Sequence, residues 1–158
     1  ILQPTDIAIL NAASLVTAQL LREAGMAVEL QAMDWSTLTS RRAISKPVDE
    51  GGWNLFHTWW IGADILNPVA NIGVSGGCRD RAWFGWPCAA EIERLRDAYA
   101  READAAEQKR LADAVQRRAF EIVTYANFGK WFNPVAYSER LKGMIKSPVQ
   151  FFWNIEKQ

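Results

Sequence analysis

The sequence predicts an α/β fold, and two features of its pattern carry that prediction. An extended segment at residues 1–4 is followed by a helix-like segment, a glycine at Gly25 and an alternating run at residues 26–33. Strand, helix, glycine and strand in this order are typical of a βαβ unit, whose strands lie parallel in one sheet. Two amphipathic segments at residues 89–101 and 105–126 predict a pair of helices. The length of 158 residues fits about one domain.

The first helix is predicted to follow Pro4 and to end before Gly25. Thr5 or Asp6 can cap its start, and Gly25 stands where a C′ glycine is expected. Small, apolar and threonine side chains three and four residues apart predict its buried face: Leu10, Ala13, Thr17, Leu20, Leu21 and Ala24. The alternating run from Met26 to Met33 predicts the second strand.

A short helix is predicted next, from about Ser36 to Ser45. Its Arg41–Arg42 pair is interpreted as a solvated surface, and contact with another lobe or an anionic group is the alternative. Residues 53–58 predict a central strand, because their side chains alternate and are mostly aromatic, β-branched or aliphatic.

The later part of the chain begins with a loop and ends with short extended segments. Periodicity is lost from Ile61 to Pro87, and a loop of that length in a compact domain usually carries function. The helical pair has buried stripes of Ile92, Leu95 and Tyr99, and of Leu111, Val115, Ala119, Ile122 and Ala126. Residues 130–136 and 150–154 predict short strands, with a turn or short helix at residues 138–146 between them.

The composition restricts the class of function. The 18 basic and 18 acidic residues balance, so bulk charge does not point to nucleic acid or to a membrane surface. No apolar run approaches the roughly 20 residues that span a bilayer. The chain begins at Ile1 within what reads as the end of a strand, and we interpret it as a piece of a longer protein.

The stretch from Gly52 to Pro68 predicts a ligand-binding wall. Adjacent indoles at Trp59 and Trp60 provide rigid contact surface, and the carboxylate of Asp64 can orient a cationic group. Asp64 has a second interpretation as a turn-capping residue, because Asp is common in turns. Weaker candidates for the same wall are Trp35, Trp83 and Trp86, although most tryptophans in a fold of this kind fill core.

Cys78 and Cys88 flank one end of the long loop. Their spacing is not that of a zinc site and the chain has one histidine, so neither a metal site nor a cofactor is predicted. A disulfide in an oxidising compartment and two free thiols are the open alternatives. His57 is interpreted as a packed histidine; no nucleophile-elbow or nucleotide-binding pattern accompanies it.

Several segments resemble the C-terminal part of the periplasmic solute-binding proteins that serve peptide, dipeptide and nickel ABC importers. They cover nearly the whole chain in the right order: PTD at 4–6, LLREAGMAVELQAMDW at 20–35, WWIGADILNP at 59–68, WFGWPCAAEIERL at 83–95, EQKRLADAVQRRAFE at 107–121 and FFWNIEK at 151–157. The resemblance implies one α/β lobe, residues 1–158, of a bilobal type II binding-protein fold with a mixed sheet flanked by helices. It also implies a larger N-terminal portion that this chain lacks.

The resemblance implies a function as well as a fold. In peptide-binding relatives the acid that follows the Trp-containing segment receives the amino terminus of the peptide, and Asp64 matches that position. Some relatives carry a disulfide similar to Cys78–Cys88. The implied protein is a periplasmic receptor that delivers its solute to a permease and catalyses nothing. The cargo stays open, because the family also binds sugars, opines and metal chelates.

Two further classes of function remain as alternatives. A hydrolase would use His57 and Asp64 as an acid–base pair. A structural or interaction domain would use the tryptophans as core.

Overall fold

A computed structural model describes residues 1–158, apart from the side chain at position 80. It divides into two compact units, residues 1–59 (the first unit) and residues 60–158 (the second unit). The prediction that residues 1–158 form one lobe of a larger receptor stays a prediction. Within the described part of the chain, no helix is long and apolar enough to cross a membrane.

The first unit is built on the predicted βαβ arrangement. Strand β1 (Leu2–Pro4) pairs in parallel with β2 (Gln31–Met33), and helix α1 (Ala8–Glu23) connects them. The register places Leu2 opposite Gln31 and Pro4 opposite Met33. The parallel pair is therefore confirmed, but β2 is shorter than the predicted strand at residues 26–33.

Helix α1 has the predicted end and a different start. Its N-cap is Ile7, which makes no side-chain cap hydrogen bond, so the predicted cap by Thr5 or Asp6 is wrong. At the other end Gly25 adopts φ +87°, and the N–H groups of Gly25 and Met26 donate to the carbonyls of Arg22 and Leu21. This is the Schellman arrangement that a C′ glycine permits.

The buried face of α1 differs in part from the predicted stripe. The buried side chains are Leu10, Ala13, Ser14 and Ala18. Leu20, which the spacing placed on the buried face, is 57% exposed. Ser14 is tolerated in the core because its hydroxyl donates to the carbonyl of Leu10 at 2.9 Å.

Helix α2 (Trp35–Arg41) begins where Asp34 caps it. The Asp34 carboxylate accepts from the N–H of Thr37 at 2.9 Å and from its hydroxyl at 2.6 Å. These hydrogen bonds hold the pKa of Asp34 below its usual value. The helix stops at Arg41, four residues before the predicted end at Ser45.

The predicted strand at residues 53–58 is wrong as a continuous element. It is reduced to one parallel bridge, in which Phe56 pairs with Leu2, and the N–H of Leu2 donates to the carbonyl of Leu55 at 2.9 Å. The rings of Trp53 and Phe56 meet edge to face at 4.8 Å. Side chains three apart on a strand lie on opposite faces, so this contact is incompatible with regular extended backbone.

The second unit has a helical hairpin as its main element. Helices α3 (Ala90–Arg101) and α4 (Ala105–Ile122) match the predicted pair, although α4 ends at Ile122 rather than Ala126. Asp104 caps α4 by accepting from the N–H of Glu107 at 2.9 Å. The core between the helices and the preceding loop consists of Val74, Ile92, Val115 and Ala119.

The segment from residue 61 to residue 87 is irregular, as predicted. It contains three short 3₁₀ turns, Gly62–Ile65, Ile72–Val74 and Arg79–Arg81. Val74 from the middle turn enters the core of the hairpin. The loop is therefore anchored to the helices at its centre.

The C-terminal strands lie elsewhere than predicted. The segments at residues 130–136 and 150–154 are not strands; instead β3 (Leu141–Lys142) pairs antiparallel with β4 (Glu156–Lys157). The apolar content of the two predicted segments is largely exposed, with Phe132 at 83% and Trp153 at 78%. The described sheets are thus one parallel and one antiparallel pair rather than one mixed sheet.

Candidate functional site

Two indoles stack in the first unit. Trp35 is the first residue of α2, and its backbone N–H donates to the Asp6 carboxylate at 2.9 Å. Its ring lies against Trp59 with 5.1 Å between centroids and 28° between planes. Trp59 keeps 37% of its surface exposed, so this pair offers an aromatic face for contact with another molecule.

Arg42 packs against the aromatic rings of the first unit. Its guanidinium lies 5.5 Å from the centre of the Trp35 ring and 5.9 Å from that of Phe56, within the range of cation–π attraction. Burial lowers the pKa of Arg42 from its very high ordinary value. The indole N–H of Trp53 donates to the carbonyl of Arg42 at 3.1 Å. Arg42 is therefore packed among rings, which corrects the interpretation of this arginine as a solvated side chain.

Trp60 is the centre of an aromatic cluster in the second unit. Its ring lies 4.8 Å from Trp83 and 5.5 Å from Tyr125, and Trp83 contacts Phe84 at 5.2 Å. Gly73 allows this packing, because a Cβ there would lie 3.1–3.2 Å from the rings of Tyr125 and Trp60. Part of the Trp60 surface is consequently used to hold the irregular loop together.

Asp64 lies in the first 3₁₀ turn of the loop. Its N–H donates to the carbonyl of Ile61 at 2.9 Å, and its side chain is exposed. Among the described groups, none forms a hydrogen bond or ion pair with its carboxylate. The capping role in this region belongs to Asn67, whose side-chain oxygen accepts from the N–H of Val69 at 2.8 Å. The Asp64 carboxylate is therefore accessible to a ligand cation.

A cavity of about 230 Å³ is lined in part by Ile65, the residue after Asp64. Its wall combines apolar side chains with the amides of Asn71, Gln116 and Asn127. The other residues that line it are Ile65, Leu66, Pro68, Val74, Ala112, Val115, Ala119, Phe120 and Tyr125.

The Cys78–Cys88 disulfide closes the loop that carries Trp83 and Trp86. The Cα atoms of the two cysteines are 4.1 Å apart, and the N–H of Cys78 donates to the carbonyl of Pro87 at 3.1 Å. The disulfide alternative of the sequence analysis is thereby confirmed. Between the cysteines, Trp83 to Trp86 form a turn closed by a 2.8 Å hydrogen bond, with Gly85 at φ +101°.

His57 belongs to the first unit and is partly buried. Burial lowers the pKa of its imidazole below the ordinary value, which favours the neutral ring. The interpretation of His57 as a packed histidine agrees with this environment.

The six predicted ligand-binding residues fall into both units. Trp35 and Trp59 stack on each other in the first unit. Trp60 contacts Trp83 in the second unit, which also contains Asp64 and Trp86. Sequence patterns missed Tyr125 because the helix was predicted to continue to Ala126 with Tyr125 off its buried stripe, whereas α4 ends at Ile122 and the Tyr125 ring contacts Trp60.

Comparison with known proteins supports the class that the quoted segments indicated, a solute-binding protein of an ABC importer. No protein-family model matches the chain. The chain is 37% identical over 157 residues to a probable peptide ABC transporter periplasmic-binding protein (y4tO) of Sinorhizobium fredii. These residues are 99% of this chain and 29% of that protein, so the chain spans less than a third of its relative. The similarity confirms the resemblance stated above.

Proposed function

We propose that this chain is part of the substrate-binding component of an ABC importer, and that the cargo is a short peptide. The observation that carries the proposal is the accessible carboxylate of Asp64, four residues after Trp60, in a chain 37% identical to a probable peptide ABC transporter periplasmic-binding protein. Similarity along 99% of the chain supports a shared role in import.

The proposed mechanism is reversible capture between two lobes. The ammonium group of the peptide pairs with Asp64, the indole surfaces contact its backbone and side chains, and the lobes close by hinge motion. The closed receptor then docks on a permease in the inner membrane. The proposal places the receptor in the periplasm, where the Cys78–Cys88 disulfide persists. It assigns the other lobe to a part of the receptor outside residues 1–158.

The role of Asp64 is tested in the complete receptor with Asp64→Asn. A charge-assisted contact of this kind contributes about 1.5–3 kcal/mol. We expect the variant to bind peptides with a free amino terminus about ten- to a hundredfold more weakly. Binding of the same peptides with acetylated amino termini should change little. Isothermal titration calorimetry measures both affinities.

Asp49→Asn is the matched control. Asp49 is also an exposed aspartate in a short 3₁₀ turn, Val48–Glu50, and it lies in the first unit. It should leave both affinities unchanged. An equal loss for free and acetylated peptides in Asp64→Asn would remove the proposed role of Asp64. Binding of sugars, opines or metal chelates instead of peptides would replace the cargo and keep the receptor.

A further inference from the structure

The Arg96–Glu93 ion pair on α3 binds the backbone of residues 68–69, in the loop that follows Asp64. The Arg96 guanidinium lies 2.7 Å from the Glu93 carboxylate. Its Nε donates to the carbonyl of Pro68 at 2.9 Å, and its Nη2 donates to the carbonyl of Val69 at 2.9 Å. One side chain therefore fixes two successive carbonyls of the loop with a planar fork of donors.

The same carboxylate holds the other end of this segment. Glu93 Oε1, which receives the Arg96 contact, also accepts from the N–H of Gly76 at 2.8 Å. A Cβ at Gly76 would lie 2.6 Å from the carbonyl oxygen of Ala89, so only glycine lets the backbone approach the start of α3 this closely. One turn of α3 thus anchors the loop at residues 68–69 and again at residue 76.

The anchored segment begins three residues after the 3₁₀ turn that carries Asp64. The N–H of Asn71 donates to the carbonyl of Asn67 at 2.8 Å, and the side chain of Asn67 accepts from the N–H of Val69 at 2.8 Å. Asp64 is three residues before Asn67. The backbone that Arg96 holds is thus linked through Asn67 to the chain that leaves the Asp64 turn.

Burial of its arginine separates this pair from the other ion pairs of the helical hairpin. The Arg96 side chain is 14% exposed. The Arg101–Asp97 pair on the same helix is 81% and 70% exposed, with 3.7 Å between its charged atoms. A pair as exposed as Arg101–Asp97 contributes little to structure, whereas Arg96 has exchanged most of its hydration for carbonyl oxygens and a carboxylate.

We propose that Arg96, oriented by Glu93, is a positioning residue for the ammonium-binding carboxylate of Asp64. This inference rests on the proposed function for its link to ligand binding. The class of ligand that it concerns is a peptide with a free amino terminus.

Hydrogen exchange in the ligand-free complete receptor tests the anchor without any ligand. Arg96→Met keeps the length of the side chain and removes all of its donors. We expect the amides of residues 62–76 to exchange about tenfold faster in this variant. Arg101→Met on the same helix is the control and should leave these amides unchanged. Unchanged exchange in Arg96→Met would overturn the anchor, whatever the receptor binds.

Peptide titration tests the link to Asp64. The ratio of affinities for free and acetylated peptides should fall about tenfold in Arg96→Met and stay at the wild-type value in Arg101→Met. Arg96→Lys keeps the charge beside Glu93 and loses the planar fork, so it should also lower the ratio. A wild-type ratio in Arg96→Met would overturn the proposal.

The two measurements separate the possible failures. Faster exchange with an unchanged affinity ratio would mean that Arg96 is structural and does not position Asp64. A wild-type receptor that binds peptides without preference for free amino termini would contradict the role of Asp64 in the proposed function. In that case, the exchange experiment alone decides whether the anchor exists.

Discussion

Gly25 ends the first helix in the way that its sequence position predicts. The residue follows the last apolar position of the helical pattern, and it adopts the left-handed backbone that a Schellman motif requires. Asp104 caps its helix by a contact with Glu107, three residues away. Contacts of this kind can be predicted because both partners lie within a few residues in the sequence.

Asp6 shows where local prediction fails at the residue scale. It precedes α1 and has the chemistry of a helix cap, but its carboxylate accepts from the N–H of Trp35, 29 residues away. Thr5 likewise donates to the carbonyl of Met33. The parallel pairing of β1 and β2 brings these groups together, and a local pattern does not contain that information.

His57 predicts a pH dependence of stability. Burial makes the pKa of His57 lower in the folded chain than in the unfolded chain, where it is about 6.5. Below pH 6.5 the unfolded state binds more protons, so the free energy of unfolding falls as the pH decreases towards the folded-state pKa. This contribution is constant above about pH 7.

Urea unfolding at pH 7.5 and pH 5.5 measures this effect in wild type and in His57→Gln. The wild type should lose more stability between these pH values than the variant, because glutamine does not titrate. An identical loss in both proteins would mean that His57 does not titrate differently on folding.

At the scale of elements, the predicted strand at residues 53–58 is not a continuous strand. Residues 53–58 have the composition of a strand, but they make a single bridge and place Trp53 against Phe56. Alternation predicts a strand only when a partner strand runs along the segment, and Leu2 supplies a partner at one position. The aromatic residues here pack on one another and on Arg42 instead.

The buried stripes of helices were predicted more accurately in the second unit than in the first. Leu111, Val115 and Ala119 are buried as the spacing indicated, because α4 packs mainly on one partner, α3. Leu20 on α1 is exposed although it follows the same spacing. Apolar spacing marks a possible contact face, but a neighbouring element must cover it.

The Glu93–Arg96 pair had no recognisable signal. Both residues lie in a charged helix, three apart, and that spacing is typical of a solvated surface pair. Only the path of the loop, which brings two carbonyls to the guanidinium, distinguishes this pair from its neighbours.

The disulfide is predicted to stabilise the loop between Cys78 and Cys88. By loop-closure entropy, a ring of this size contributes about 2–3 kcal/mol to the free energy of unfolding. Cys78→Ser together with Cys88→Ser should lower that free energy by about this amount in guanidinium unfolding. A reducing agent should destabilise the wild type and leave the double variant unchanged. Equal stability of wild type and double variant would contradict the prediction.

For the whole molecule, the quoted sequence segments indicated the class of protein, which periodicity could not do. The 37% identity across 99% of the chain supports that class. Periodicity predicted the βαβ arrangement and the helical hairpin, whereas the C-terminal strands were misplaced. The residues between the helical hairpin and β3 contain aromatic side chains without a regular pattern, so propensity alone misassigned them.

The candidate residues lie in separate elements of the chain. Trp35 begins α2 in the first unit, and Trp83 and Trp86 lie in the disulfide-closed loop of the second unit. Trp59, Trp60 and Asp64 could be selected from the sequence because adjacent tryptophans followed by an isolated acid are unusual. Arg42, Tyr125 and Arg96 could not be selected, because their roles depend on tertiary contacts.

Peptide capture by the complete wild-type receptor can be tested by one titration. A pool of short peptides with free amino termini is titrated by calorimetry beside the same pool after acetylation. We expect the free pool to bind, and the acetylated pool to bind about tenfold more weakly or less tightly still. Binding of neither pool would contradict peptide capture, and equal binding of both would contradict recognition of the amino terminus by Asp64.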